Sequence, residues 1–123
     1  MRVAIDFDGV LNDYVKGDYG YDIYSLKPVP GAKEWLVSLI NNSSVNPITI
    51  FSCRAGIVNG PVDIRDWLLF VLGLTYNEAT CLVITDIKPR ADIYIDDHGF
   101  RFEGRFPSIT EIAELSHTWL EDK

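Results

Sequence analysis

The sequence predicts an α/β fold, a three-layer Rossmann-like arrangement in which a mostly parallel sheet carries helices on both faces. Three observations lead there. Short apolar runs at Val3-Ala4-Ile5, Pro47 to Ser52 and Cys81 to Thr85 read as buried strands. The stretches after the first two carry apolar residues at helical spacing. Strands alternating with helices imply parallel pairing, because a crossover helix returns the chain to the same end of the sheet. With 123 residues, 47% of them hydrophobic, the chain suits a single domain (residues 1–123) with a real core.

The elements follow in order. The first strand runs into Asp6 and Asp8. Residues 12–30, rich in Asp, Tyr, Gly and Lys, read as a loop or flap, with Tyr14, Tyr19, Tyr21 and Tyr24 as its main apolar content. A helix is expected from Gly31 to Asn41, with Trp35, Leu36, Leu39 and Ile40 on one face, ended by Asn42, Ser43 and Ser44. Pro47 to Ser52 is the second strand. After Gly56 and Gly60, Pro61 suits the first position of a helix reaching Leu72. Its buried stripe is Ile64, Trp67, Leu68, Val71 and Leu72, and Gly73 stops it. Cys81–Thr85 and Ile93–Asp96 are the third and fourth strands, and Phe100–Glu103 a short fifth. Ser108 and Glu111 have capping-box spacing and open a last helix through Ile112, Leu115 and Trp119, ending near Leu120. The stretch from Thr85 to Asp92 breaks the pattern, being too short for a crossover helix.

Composition narrows the function. Eleven Lys and Arg against 18 Asp and Glu give a formal charge of −7, which argues against strong nonspecific binding to nucleic acid. No apolar run approaches the ~20 residues of a membrane span. The start shows no signal-peptide pattern, and Cys53 and Cys81 are too few for a disulfide framework, so a cytoplasmic, reduced protein is expected. Cys53 reads as a small buried residue, since no Cys-x5-Arg phosphatase loop follows it.

Chemistry concentrates at the strand ends. Residues two apart on a strand share a face, so Asp6 and Asp8 converge where the first strand stops, and Gly9 allows a sharp turn. Carboxylates that close repel unless a cation joins them, and Mg²⁺ is the usual hard-oxygen choice. A calcium loop starting at Asp6 fails, because its fifth position is Val10 and its twelfth Gly17; a solvated turn after a strand remains the plain alternative. In open α/β sheets ligands bind beyond the carboxyl ends of the strands. Those ends supply Asp6 and Asp8, then Ser52 with Arg54, then Asp96 and Asp97, with Lys88 in the loop before the fourth strand.

Asp6-Phe-Asp-Gly-Val, Phe51-Ser52-Cys-Arg54, Lys88-Pro89 and Tyr94-Ile-Asp96-Asp97 resemble, in order and spacing, the four motifs of the haloacid dehalogenase superfamily of phosphatases. The run from Lys88 to Asp97 is similar to small bacterial and phage members of that group. Receiver domains use the same residue types, but with the acidic pair first and the acceptor Asp later. The resemblance implies a haloacid dehalogenase-like domain without a cap, and a Mg²⁺-dependent phosphomonoester hydrolase with Asp6 as nucleophile. It implies that Asp8 donates a proton to the leaving oxygen and then takes one from water, which needs acidic neighbours. Its backbone carbonyl would join Asp6 and Asp97 on the metal, with Asp96 acting directly or through water. Lys88 would offset the phosphate's charge. Ser52 and the backbone after it would hold the phosphoryl group, with Gly9, Cys53 and Arg54 contacting the substrate. Arg54, Arg90, Arg101 and Arg105 form either a basic rim or ordinary solvated surface. The implied partner is a phosphorylated small molecule or macromolecular end, and some similar capless members form homo-oligomers to build a cover. Dehalogenation does not need Asp8. The alternative function is a non-catalytic phosphate- or metal-binding module on the same fold.

Overall fold

The computed structural model describes residues 1–14, 22–96 and 105–114. Its elements are β1 (Val3–Asp6), α1 (Ala32–Ile40), β2 (Ile48–Phe51), α2 (Gly60–Trp67) continuing as a π-helical turn over Leu68–Leu72, α3 (Tyr76–Thr80), β3 (Leu82–Thr85) and β4 (Ile93–Ile95). Short 3₁₀ turns occupy Ile23–Ser25 and Cys53–Gly56, and residues 109–114 are helical. The expected fifth strand, the end of the last helix, and Tyr19, Tyr21, Asp97 and Arg101 lie outside the described residues.

All four strands are parallel, in the order β3-β2-β1-β4. Val3 pairs with Ile48 and Ile93, and Ile5 with Ile50 and Ile95. Right-handed crossovers that step the same way put α1 and α2 on one face, whereas the return from β3 to β4 steps back past β2 and β1 and takes the other. Burial agrees. Val3, Ile5, Ile48, Ile50, Leu82, Ile93 and Ile95 form one core cluster with Trp35, Leu36 and Leu39 of α1, Ile64 and Trp67 of α2, and Ile112. The alternate residues Ala4, Thr49, Val83 and Tyr94 lie outside that cluster, and Val83 is 49% exposed.

The expected pair of helical layers is therefore corrected. Among the described residues the helices cover one face, and the other is crossed by the irregular segment Asp86–Asp92, which carries no helix or strand. Seven residues can do this because a fully extended chain covers up to ~3.5 Å per residue, while three strand spacings amount to only ~14 Å. The short connection between Thr85 and Asp92 needs no helix because β4 pairs with β1, not with β3.

Polar ties hold the outlying pieces to this core. The buried Trp67 indole donates to the Leu26 carbonyl (3.0 Å) and Trp35 to that of Pro107 (2.6 Å). Among the described residues of the flap, Ile23 and Leu26 are buried, Tyr14 packs half-buried against the core, and Tyr24 is 42% exposed. Gly73 ends the second helical segment at φ +90°. Helix α3 was not expected, although Thr75 and Glu78 make both bonds of a capping box before it. Ser108 and Glu111 make the box read from the sequence. Arg105 and the Ser108 amide hold the Glu111 carboxyl down at about 2.

The β1–β4 edge starts with a reciprocal clamp. Asp92 accepts from the Arg2 amide (2.7 Å) and guanidinium (2.9 Å) and returns its own amide to the Arg2 carbonyl (2.9 Å). The Arg2 side-chain and backbone bonds lower the Asp92 carboxyl below its ordinary value. A lowered folded-state value gives stability that is present above the ordinary carboxylate range and lost as pH falls through the folded value. Asp92→Asn should therefore lower the thermal unfolding midpoint at pH 7 by a few degrees, and the gap to wild type should close as the pH is taken below about 4.

Candidate functional site

The site is built from β1 outward. Ile5 and Phe7 are fully buried, Phe7 edge-on to Trp67 with ring centroids 5.1 Å apart. That alternation leaves Asp6 and Asp8 half-buried on the opposite side. The chain then turns, with Gly9 at φ +79° and Leu11 and Asn12 donating back to the Phe7 carbonyl.

Asp6 and Asp96 come from adjacent strand ends. The β1–β4 pairing ends at Ile5 opposite Ile95, so each carboxylate sits one residue past a paired position. Neighbouring strands run ~4.8 Å apart. After β1 the chain moves toward β2, and it reaches the other neighbour, β4, only after β3, so this edge is where the strand order reverses.

Lys88 is carried there by the crossing segment. Its Nζ lies 2.6 Å from an Asp96 carboxylate oxygen, 4.6 Å from the Tyr94 ring centre and 5.5 Å from that of Phe51. Phe51 on β2 is the direct partner of Asp6, and Tyr94 on β4 that of Ala4. An ammonium near both rings therefore stands over the end of β1, which lies between them. Tyr94 steadies the segment by donating to the Pro89 carbonyl (2.5 Å) and accepting from the Ala91 amide (3.1 Å).

On the other side of β1, Ser52 follows β2 and is 6% exposed. Its hydroxyl accepts from the Arg54 amide (3.2 Å) and its carbonyl from the Ala55 amide (3.0 Å), which forms the Cys53–Gly56 turn. Gly60 packs on this turn so closely that a Cβ there would lie 1.8 Å from the Arg54 carbonyl oxygen. Cys53 is exposed, not buried as expected, because the turn leaves the sheet directly after Ser52.

Asp8 departs from expectation in its neighbours. Both its carboxylate oxygens accept from the Arg54 Nε at 2.9 Å, and Oδ1 also accepts from the Asn12 side chain at 3.2 Å. A cation and an amide, not other carboxylates, are its hydrogen-bonding partners. Asn12 went unread in the sequence. It is completely buried, and its Oδ1 accepts from the Gly9 and Tyr14 amides (3.1 and 3.0 Å), so it ties the loop to Asp8. An amide four residues after Asp8, following Val10-Leu11, was the available signal. Of the other arginines, Arg90 is exposed and Arg105 pairs with Glu111.

Among the described residues, no three His, Cys, Asp or Glu side chains group to hold a metal ion. Asp6 and Asp96 still offer two carboxylates from adjacent strand ends, and Mg²⁺ is commonly held by one or two carboxylates, with water and substrate oxygens completing its shell. The donor chemistry fits that ion. No protein-family model, characterised protein or solved structure matches this chain.

Two substitutions test the scaffold. Asn12→Ala strands the Gly9 and Tyr14 amides and should cost about 1–3 kcal/mol in denaturant unfolding. Gly60→Ala must displace the Arg54 backbone, and should raise the proton–deuterium exchange rate of the Arg54 and Ala55 amides relative to β1.

Proposed function

We propose that the chain is a Mg²⁺-dependent phosphomonoester hydrolase that works through phosphorylation of Asp6. One observation carries this reading: two carboxylates on adjacent strand ends at the reversal of strand order, with the Lys88 ammonium over the same edge. The resemblance of the four motifs supports it. So does the charge: with Asp8 protonated, as the first step needs, Asp6 and Asp96 balance Lys88 and Arg54, and a divalent cation leaves the site positive, suited to a phosphate dianion.

In this reading the Asp6 carboxylate attacks phosphorus, the bond to the leaving oxygen breaks, and Asp8 delivers a proton to that oxygen. Water then attacks the aspartyl-phosphate while Asp8 takes its proton, and the bond to Asp6 breaks. The metal, when bound, offsets the repulsion between the phosphate and Asp6. Lys88 stabilises charge on the non-bridging oxygens, and the Ser52 hydroxyl donates to one of them. Asp8 acts only once Arg54 releases it and its carboxylate has taken a proton from solvent, and an incoming phosphate dianion competes for that guanidinium.

The second reading, a non-catalytic phosphate- or metal-binding module, is favoured by one observation: both Asp8 oxygens are engaged by Arg54. Turnover separates the two. With Mg²⁺ the protein should hydrolyse 4-nitrophenyl phosphate, and Asp6→Asn or chelation should abolish it. Asp8→Asn should slow turnover about 10²-fold or more with Mg²⁺ affinity nearly intact. Lys88→Ala should lower kcat by about 10²–10³ with little change in thermal stability. Tight Mg²⁺ binding without turnover of any ester would establish the binding module instead.

A further inference from the structure

A cavity of about 200 Å³ is lined by Asp22, Ile23, Ile57, Gly60, Asp63 and Arg54, the residue that also holds Asp8. We propose that this cavity is the leaving-group pocket of the site, and that it selects phosphomonoesters whose alcohol portion carries an amine and rejects those bearing a second anion. The inference rests on the phosphatase reading above.

Position comes first. Arg54 belongs to the cavity wall and holds Asp8 at 2.9 Å. In the hydrolase mechanism Asp8 hands its proton to the leaving oxygen, so the alcohol portion leaves on Asp8's side, next to Arg54.

The lining then sets the chemistry. Ile23 and Ile57 offer apolar contact for a ring or chain. Asp22 accepts from the Tyr24 amide (3.1 Å), and Asp63 from the Tyr24 hydroxyl (3.4 Å). Both donors are neutral. Burial and the nearby Asp63 and Asp66 raise the Tyr24 phenol, which keeps it a neutral donor. Among the described residues the one cation in the wall is Arg54, which is ion-paired to Asp8. The cavity's net charge is thus negative, which favours an ammonium near Asp22 and Asp63 and repels a carboxylate or second phosphate. Arg54 pairs with Asp8 at rest and, in the mechanism above, with the transferring phosphate, so it is not set to receive a second anion on the alcohol portion.

Three esters of matched shape test this: 4-(aminomethyl)phenyl, 4-(hydroxymethyl)phenyl and 4-carboxyphenyl phosphate. With Mg²⁺, kcat/KM should fall in that order by about fivefold per step, as expected for a partly solvated ion pair gained or a like charge met. Asp63→Asn and, independently, Asp22→Asn on the exposed flap should each narrow the spread. Hydrolysis of all three at equal rates, or fastest for the carboxy ester, would overturn the pocket and leave the phosphatase reading standing. Hydrolysis of none would overturn both.

Discussion

The structure turns on the gathering of negative charge at one end of a parallel sheet. Asp6 and Asp96 leave neighbouring strands at matching heights, and Asp96 keeps only 9% of its side-chain surface. Like charges with so little water between them are costly unless cations come close. Among the described residues two do: Lys88, on the segment after β3, pairs with Asp96, and Arg54, on the turn after β2, pairs with Asp8. Both depend on the order β3-β2-β1-β4, because only with β1 between β2 and β4 do those connections flank it.

The crossing segment is the less common of the two solutions. A crossover helix would have covered the second face and held its own backbone bonds. An irregular stretch cannot do this alone, so its ties are made by neighbours: Tyr94 with the Pro89 carbonyl and Ala91 amide, Lys88 with Asp96, and Asp92 with Arg2. Tyr94 therefore has two tasks, as a register position in β4 and as the anchor of Lys88. The cost is a thinly covered face, with Val83 and Ile87 left exposed.

Much of this was legible from residue order. The four strands, α1, the second helical segment and the Ser108–Glu111 box all follow local signals of period, capping and glycine stops, which tertiary contacts did not override. Asp6, Ser52 and Asp96 were legible as polar residues closing apolar runs, and Lys88 as a cation in the loop before the fourth strand. What failed was long-range. The face taken by the β3–β4 connection depends on strand order, which no local pattern encodes. Asp8's partner lies 46 residues away in Arg54, and Asn12's role depends on three hydrogen bonds that exist only once the loop has turned at Gly9. Helix α3 was missed for another reason: its Thr75–Glu78 signal is local, but five residues show too little periodicity to prompt a search for a cap.

Solvent sets how strongly this site can act. Lys88 is 40% exposed even while its partner is nearly covered, so its charge is partly screened until something displaces the water above it. The described chain closes the floor of the site, through Ser52, Asp96 and the buried Asn12, and leaves the roof open. A ligand lying over the β1–β4 edge would itself exclude that water and strengthen every charge contact beneath it. Selectivity then comes from whichever parts of the ligand reach a wall. Among the described residues a wall joins this edge on the Arg54 side, where the guanidinium that holds Asp8 also lines the neighbouring cavity. Recognition of the ligand and release of Asp8 would thus meet at a single side chain, which ties specificity to chemistry.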